Sequence, residues 1–132
     1  MMSPSPDATL SITSTVKHYP QHPYAAIKDA ILGARFELSL AFVGEARARA
    51  LNQAHRNKTY VPDVLSFPLA PDCGEIIICP RAAARTAREF SLQPTQCVGW
   101  LFIHGALHLK GYEHGATMER LERRFLDRFS IT

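Results

Sequence analysis

The sequence predicts an α+β fold, a small four-stranded sheet with helices packed on it, in the order βαβαββααα. Three observations predict it. Two segments in the N-terminal half alternate apolar and polar residues with a period of two. A short continuous apolar run, Ile76 to Cys79, sits between turn signals at Gly74 and Pro80. From Pro80 onward the chain holds successive helical segments, the last with a clear apolar stripe. That order is an α+β layout, a small sheet with helices packed on it.

Taken in order, Leu10, Ile12, Ser14 and Val16 alternate with Ser11, Thr13, Thr15 and Lys17, the pattern of a half-buried strand. Pro23 opens a helix at its first turn, Ile27, Ala30 and Ile31 give it one apolar face, and Gly33 ends it. The second strand sets Phe36, Leu38, Leu40 and Phe42 against Glu37, Ser39 and Ala41 and stops at Gly44. Glu45 to His55 reads as a helix whose apolar positions are Ala46, Ala50, Leu51 and Ala54. After a loop with Pro62, strands are expected over Asp63 to Phe67 and Glu75 to Cys79, the second apolar enough for the centre of a sheet. Pro80 opens a helix running to Phe90, and Pro94 or Thr95 opens a longer one. The last helix, Ala116 to Phe129, shows Met118, Leu121, Phe125, Leu126 and Phe129 at helical spacing. Residues 1–8 are rich in Ser and Pro and are expected to be a flexible N-terminal segment ahead of a single domain over residues 9–132.

The most informative run is His104-Gly105-Ala106-Leu107-His108-Leu109-Lys110-Gly111-Tyr112-Glu113-His114. Residues four apart on a helix share a face and lie about 6 Å apart along its axis, so His104 and His108 can aim ring nitrogens at one point. Gly111 suits the left-handed residue that closes a helix, and three further residues bring His114 back toward the pair. Three imidazoles leave a fourth position of a tetrahedral zinc ion for water, whose pKa falls to about 7. The spacing is that of the metzincin zinc signature, but Gly105 stands where a zinc peptidase has its glutamate base. That argues against peptide hydrolysis. Nickel, cobalt or copper would also accept three imidazoles, with one Zn2+ as the first choice. Cys97 lies about 10 Å along the helix from His104 and cannot join the site.

This run resembles the signature of the YbeY family of bacterial endoribonucleases. Leu51-Asn52, Arg56, Lys58 and Asp63-Val64-Leu65-Ser66-Phe67-Pro68 are similar to that family's second block. Gly74 to Cys79 resembles its following strand, and Met118 to Glu122 the start of its last helix. The chain departs from the family pattern at Thr59, Val61 and Pro62, and has Glu75 and Glu113 where aspartate is usual. The resemblance implies a mixed sheet and a single zinc-dependent endoribonuclease domain acting on single-stranded RNA. It implies a role in 16S rRNA 3′-end maturation and ribosome quality control, with the ribosome or ribosomal proteins as partners. It marks Arg56 and His104 as catalytic, His104, His108 and His114 as the metal ligands, and Lys58, Asp63 and Ser66 as the substrate groove.

Composition agrees. A chain of 132 residues with 46% apolar content supports one core without disulfides. The first eight residues have neither a basic nor an apolar stretch of a secretory signal, and Cys97 to Leu109 is too short and too polar to span a bilayer. Cys73, Cys79 and Cys97 are odd in number and in no C-x-x-C pair, as for reduced thiols; a cytoplasmic protein is expected. The net charge of +3 is mild for a nucleic-acid protein. Arg81, Arg85 and Arg88 form one helical stripe, and Arg47, Arg49, Arg56 and Lys58 a second cluster, either of which could track phosphates. Two other readings are a ribosome-associated RNA-binding factor with a structural metal, marked by a fourth protein ligand, and a metal-dependent hydrolase of another substrate, marked by the lack of a basic groove.

Overall fold

The computed structural model describes residues 9–131, so the expected flexible segment over residues 1–8 lies outside the described residues. The elements are β1 (Leu10–Ser14), α1 (Tyr24–Leu32), β2 (Glu37–Phe42), α2 (Glu45–Arg56), β3 (Val64–Ala70), β4 (Cys73–Ile78), α3 (Pro80–Glu89), α4 (Pro94–Lys110) and α5 (Ala116–Arg128). The strand order is β1-β2-β4-β3. β1 and β2 are parallel, β2 and β4 are parallel, and β3 runs antiparallel to β4, making the sheet mixed as the resemblance implied.

Burial follows position in the sheet. Central β4 has helices on both faces, and Ile76, Ile77 and Ile78 are all buried. β2 keeps its alternation: Leu38, Leu40 and Phe42 are buried and Glu37 is exposed. These side chains and Ile76 and Ile78 meet Ile27 and Ile31 of α1 and Phe102, Ile103 and Leu107 of α4. On the opposite face Leu65, Ile77 and Val43 meet Ala48 of α2 and Ala82 of α3. β3 is an edge, where Pro68 costs no ladder bond. β1 is the other edge and is mostly exposed, Ile12 included, so it is less buried than its alternation suggests.

Three features depart from the expectation. β3 and β4 form a longer hairpin, with a bulge between Pro68 and Ala70. α2 buries Ala48 and Asn52; of the expected stripe Leu51 is half-buried against the core, while Ala46, Ala50 and Ala54 are exposed. Alanine carries too little apolar area to mark a face in sequence; the face turned to the core holds Ala48 and Leu51 in the cluster and Asn52, whose amide donates to the Tyr60 carbonyl at 3.1 Å. Lys28 of α1 is fully buried, its ammonium donating to Thr9 Oγ1, to the Ala34 carbonyl at 3.1 Å and to Asp29 at 3.2 Å. Those acceptors satisfy the charge that burial would otherwise penalise.

Helix α4 organises the rest. Its N-terminus is held by the Gln93 and Gln96 capping box with Pro94 in the first turn, and most of its middle is buried. It crosses the sheet near β3 closely enough that a methyl on Gly105 would lie 2.8 Å from Ser66 Oγ. The glycine lets the last two turns of α4 sit against β3, and those turns carry His104 and His108.

Candidate metal centre

One nitrogen from each of His104, His108 and His114 falls within 4.8 Å of the others. The local chain explains it. Gly111 adopts φ +113° and ends α4. The Gly111 N–H donates to the His108 carbonyl at 3.0 Å and the Tyr112 N–H to the Leu107 carbonyl at 3.1 Å, the paired bonds of a Schellman turn. That turn reverses the chain and returns His114 over the helical pair.

The same turn sets the chemistry of the rings. The Tyr112 carbonyl accepts from Nδ1 of His108 at 3.0 Å. Nδ1 of His104 faces Glu122 Oε2 at 3.2 Å, and the indole N–H of Trp100 donates to that oxygen too. With both Nδ1 atoms protonated, both Nε2 atoms hold lone pairs, and these lie 3.1 Å apart. Two ligands about 2.0–2.1 Å from a tetrahedral zinc stand about 3.3 Å apart, so the pair fits such an ion. Burial, reinforced by the neighbouring His104, pulls the His108 pKa below its ordinary value, favouring the neutral form a metal needs. Among the described residues no fourth His, Cys, Asp or Glu joins the group. Cys79 and Cys97 are buried elsewhere in the core.

Other expected site residues divide. Arg56, at the end of α2, lines a cleft of about 360 Å³ with Ser66 and all three histidines. Its guanidinium takes part in none of the ion pairs among the described residues. Ser66 Oγ also donates to the Gly105 carbonyl at 3.3 Å. Asp63 lies on the other side of the histidines, lining a second cleft, and one of its oxygens accepts from Thr86 at 2.8 Å. Lys58 is exposed on the loop after α2 and lines neither cleft. Within the stripe on α3, Arg85 is engaged by Glu45 at 2.5 Å, a contact that also holds the Glu45 carboxyl below its usual range.

The residue missed from sequence is Glu122. Glu113, adjacent to a ligand, is exposed, whereas Glu122 is buried against His104 from a different helix. A signal was present: Glu122 falls four residues after Met118, on the apolar face of α5, where an unpartnered carboxylate would be costly.

Residues 7–130 match the family model described as Endoribonuclease YbeY. A protein of that name from Bdellovibrio bacteriovorus is 39% identical over 100 residues, covering 74% of this chain and 64% of the relative. One from Bordetella petrii is 41% identical over 103 residues, covering 70% and 66%. The chain thus spans under two thirds of the length of either. The solution structure of TM1509 from Thermotoga maritima is similar with a TM-score of 0.65 at 26% identity, covering 91% of this chain and 88% of that one.

Proposed function

The chain belongs to the YbeY family, and from that premise we propose that it is a zinc-dependent endoribonuclease cutting single-stranded RNA. The reading is carried by one observation: three imidazoles aimed at a common point share a cleft with an arginine that joins none of the ion pairs among the described residues. His104, His108 and His114 would hold the ion, which would supply a water of pKa about 7 and polarise a phosphoryl oxygen. Arg56, permanently charged and planar, binds the phosphate and neutralises the charge that builds on it as the bond to the leaving oxygen breaks. Ser66 lines the same cleft, with its hydroxyl turned to Gly105.

The biological substrate in this reading is ribosomal RNA, with maturation of the 16S 3′ end and ribosome quality control as the setting, in the cytoplasm and in contact with ribosomal proteins. No helix among the described residues is long and apolar enough to cross a membrane. The lack of a fourth ligand among the described residues favours an open site over a structural one.

Cleavage of a single-stranded ribosomal RNA fragment tests the proposal, with zinc-loaded wild type beside His104→Ala, His114→Ala and Arg56→Ala variants purified in parallel. Cutting by wild type alone supports it. Equal residual cutting in all four preparations points to a contaminant and overturns it.

A further inference from the structure

The three histidines lie between two clefts of different character. His104, His114 and Val64 line both. On one side is the polar cleft with Arg56. On the other is a larger one of about 550 Å³, walled by Trp100, Leu101, Met118 and Leu126. Phe90, the residue that ends α3, stands at this second cleft with 61% of its surface exposed. Its ring meets the Trp100 indole at 6.2 Å and 60°.

We propose that the second cleft is a nucleobase pocket. It takes one base of the RNA strand whose phosphate lies in the Arg56 cleft, the base stacking on the exposed Phe90 ring with the Trp100 indole beside it. This rests on the nuclease reading of the histidine centre. An exposed aromatic ring beside an indole offers a stacking surface, and stacking tolerates any base because each has a π face.

Charge points to a base rather than a second phosphate. Asp63, Glu119 and Glu122 line this cleft, with Arg123 as the arginine among them. Ionised carboxylates accept hydrogen bonds and cannot donate. They repel phosphate and attract the N–H edge of a base. Asp63 uses Oδ2 for Thr86, and Glu122 uses Oε2 for Trp100 and His104. The exocyclic amines of adenine, cytosine and guanine are the matching donors, which uracil lacks. The strand would therefore cross the histidines with its backbone toward Arg56 and a base toward Phe90.

Trp100 is the chain's single tryptophan, so its fluorescence reports on the pocket directly. Zinc-loaded wild type is titrated with adenosine 5′-monophosphate and with ribose 5-phosphate, which keeps the phosphate and lacks the base. The nucleotide is expected to change Trp100 emission and to bind about 5- to 150-fold more tightly than the sugar phosphate. Phe90→Ala, at an exposed position, is expected to remove most of that preference while leaving melting temperature, zinc content and ribose 5-phosphate binding unchanged. Equal affinity for the two ligands, or unchanged nucleotide binding in Phe90→Ala, overturns the pocket. RNA cleavage assayed in parallel separates the two ideas: cutting without base preference removes the pocket and keeps the nuclease, and base preference without cutting does the reverse.

Discussion

Nδ1 of His104 and Oε2 of Glu122 face each other at 3.2 Å across the packing of α4 on α5, and the Trp100 indole shares that oxygen. The contact assigns the proton of His104 to the nitrogen that points away from the other histidines. Without it, either tautomer is open to the ring.

Glu122→Leu is therefore expected to weaken zinc binding by about 10- to 100-fold, read by competition with a chelator. Glu122→Gln keeps an acceptor and should recover much of that loss. It also leaves fewer unpaired donors than Leu, where the stranded Trp100 and His104 N–H groups cost about 1–3 kcal/mol in stability. Equal affinity in all three proteins would contradict the role.

Gly111→Ala puts a Cβ on a residue at φ +113°. Left-handed backbone costs a non-glycine residue about 1–2 kcal/mol, and the turn that relaxes to avoid it carries the Tyr112 carbonyl and His114. A loss of thermal stability together with a loss of zinc affinity is expected. A variant with native melting and native affinity would show that the turn does not hold the site.

Gly105→Ala is expected to destabilise by about 1–3 kcal/mol through overpacking, because the new methyl meets Ser66 Oγ at 2.8 Å and Ile76 at 3.3 Å. Ser66→Ala in the same chain should return part of the loss, which denaturant melts of the double and single variants can read. Additive effects would rule out the contact as the cause.

The lowered pKa of His108 has a definite sign in the metal-free protein. Burial is its main cause, and the nearby His104 adds to it. The unfolded chain then holds the proton more readily than the folded one, so the stability tied to neutral His108 is present above about pH 6.5 and is lost as pH falls through the folded value. An imidazole titration followed by NMR should give a midpoint below the ordinary histidine value. A midpoint at or above it would contradict this account.

The legible part of the fold is the part encoded locally. The alternation in β2, the apolar run of β4 and the caps around α4 each lie within a short window, and so do the three histidines, spaced by helix geometry and one glycine. Partners distant in sequence were not legible. Lys28 is buried because Thr9 and Ala34 come to it, and Glu122 is buried because Trp100 and His104 do. α2 shows a different limit: of the expected stripe of Ala46, Ala50, Leu51 and Ala54 only Leu51 carries enough apolar area to mark a face, and it is the one that packs on the core, beside Ala48 and Asn52. Lys58 follows Arg56 by two residues yet lines neither cleft, because α2 ends at Arg56 and Asn57 turns the chain with φ +56°.

His108 is oriented by an oxygen that belongs to the main chain of residue 112. No side-chain replacement at that position can delete the acceptor, so alanine scanning would pass over Tyr112 as dispensable for holding the ring. Mutational intolerance is displaced one residue upstream, onto a glycine with no side chain to contribute. Substitution maps of this segment would then mark Gly111 as sensitive and Tyr112 as permissive for metal binding, although it is residue 112 that touches the ligand.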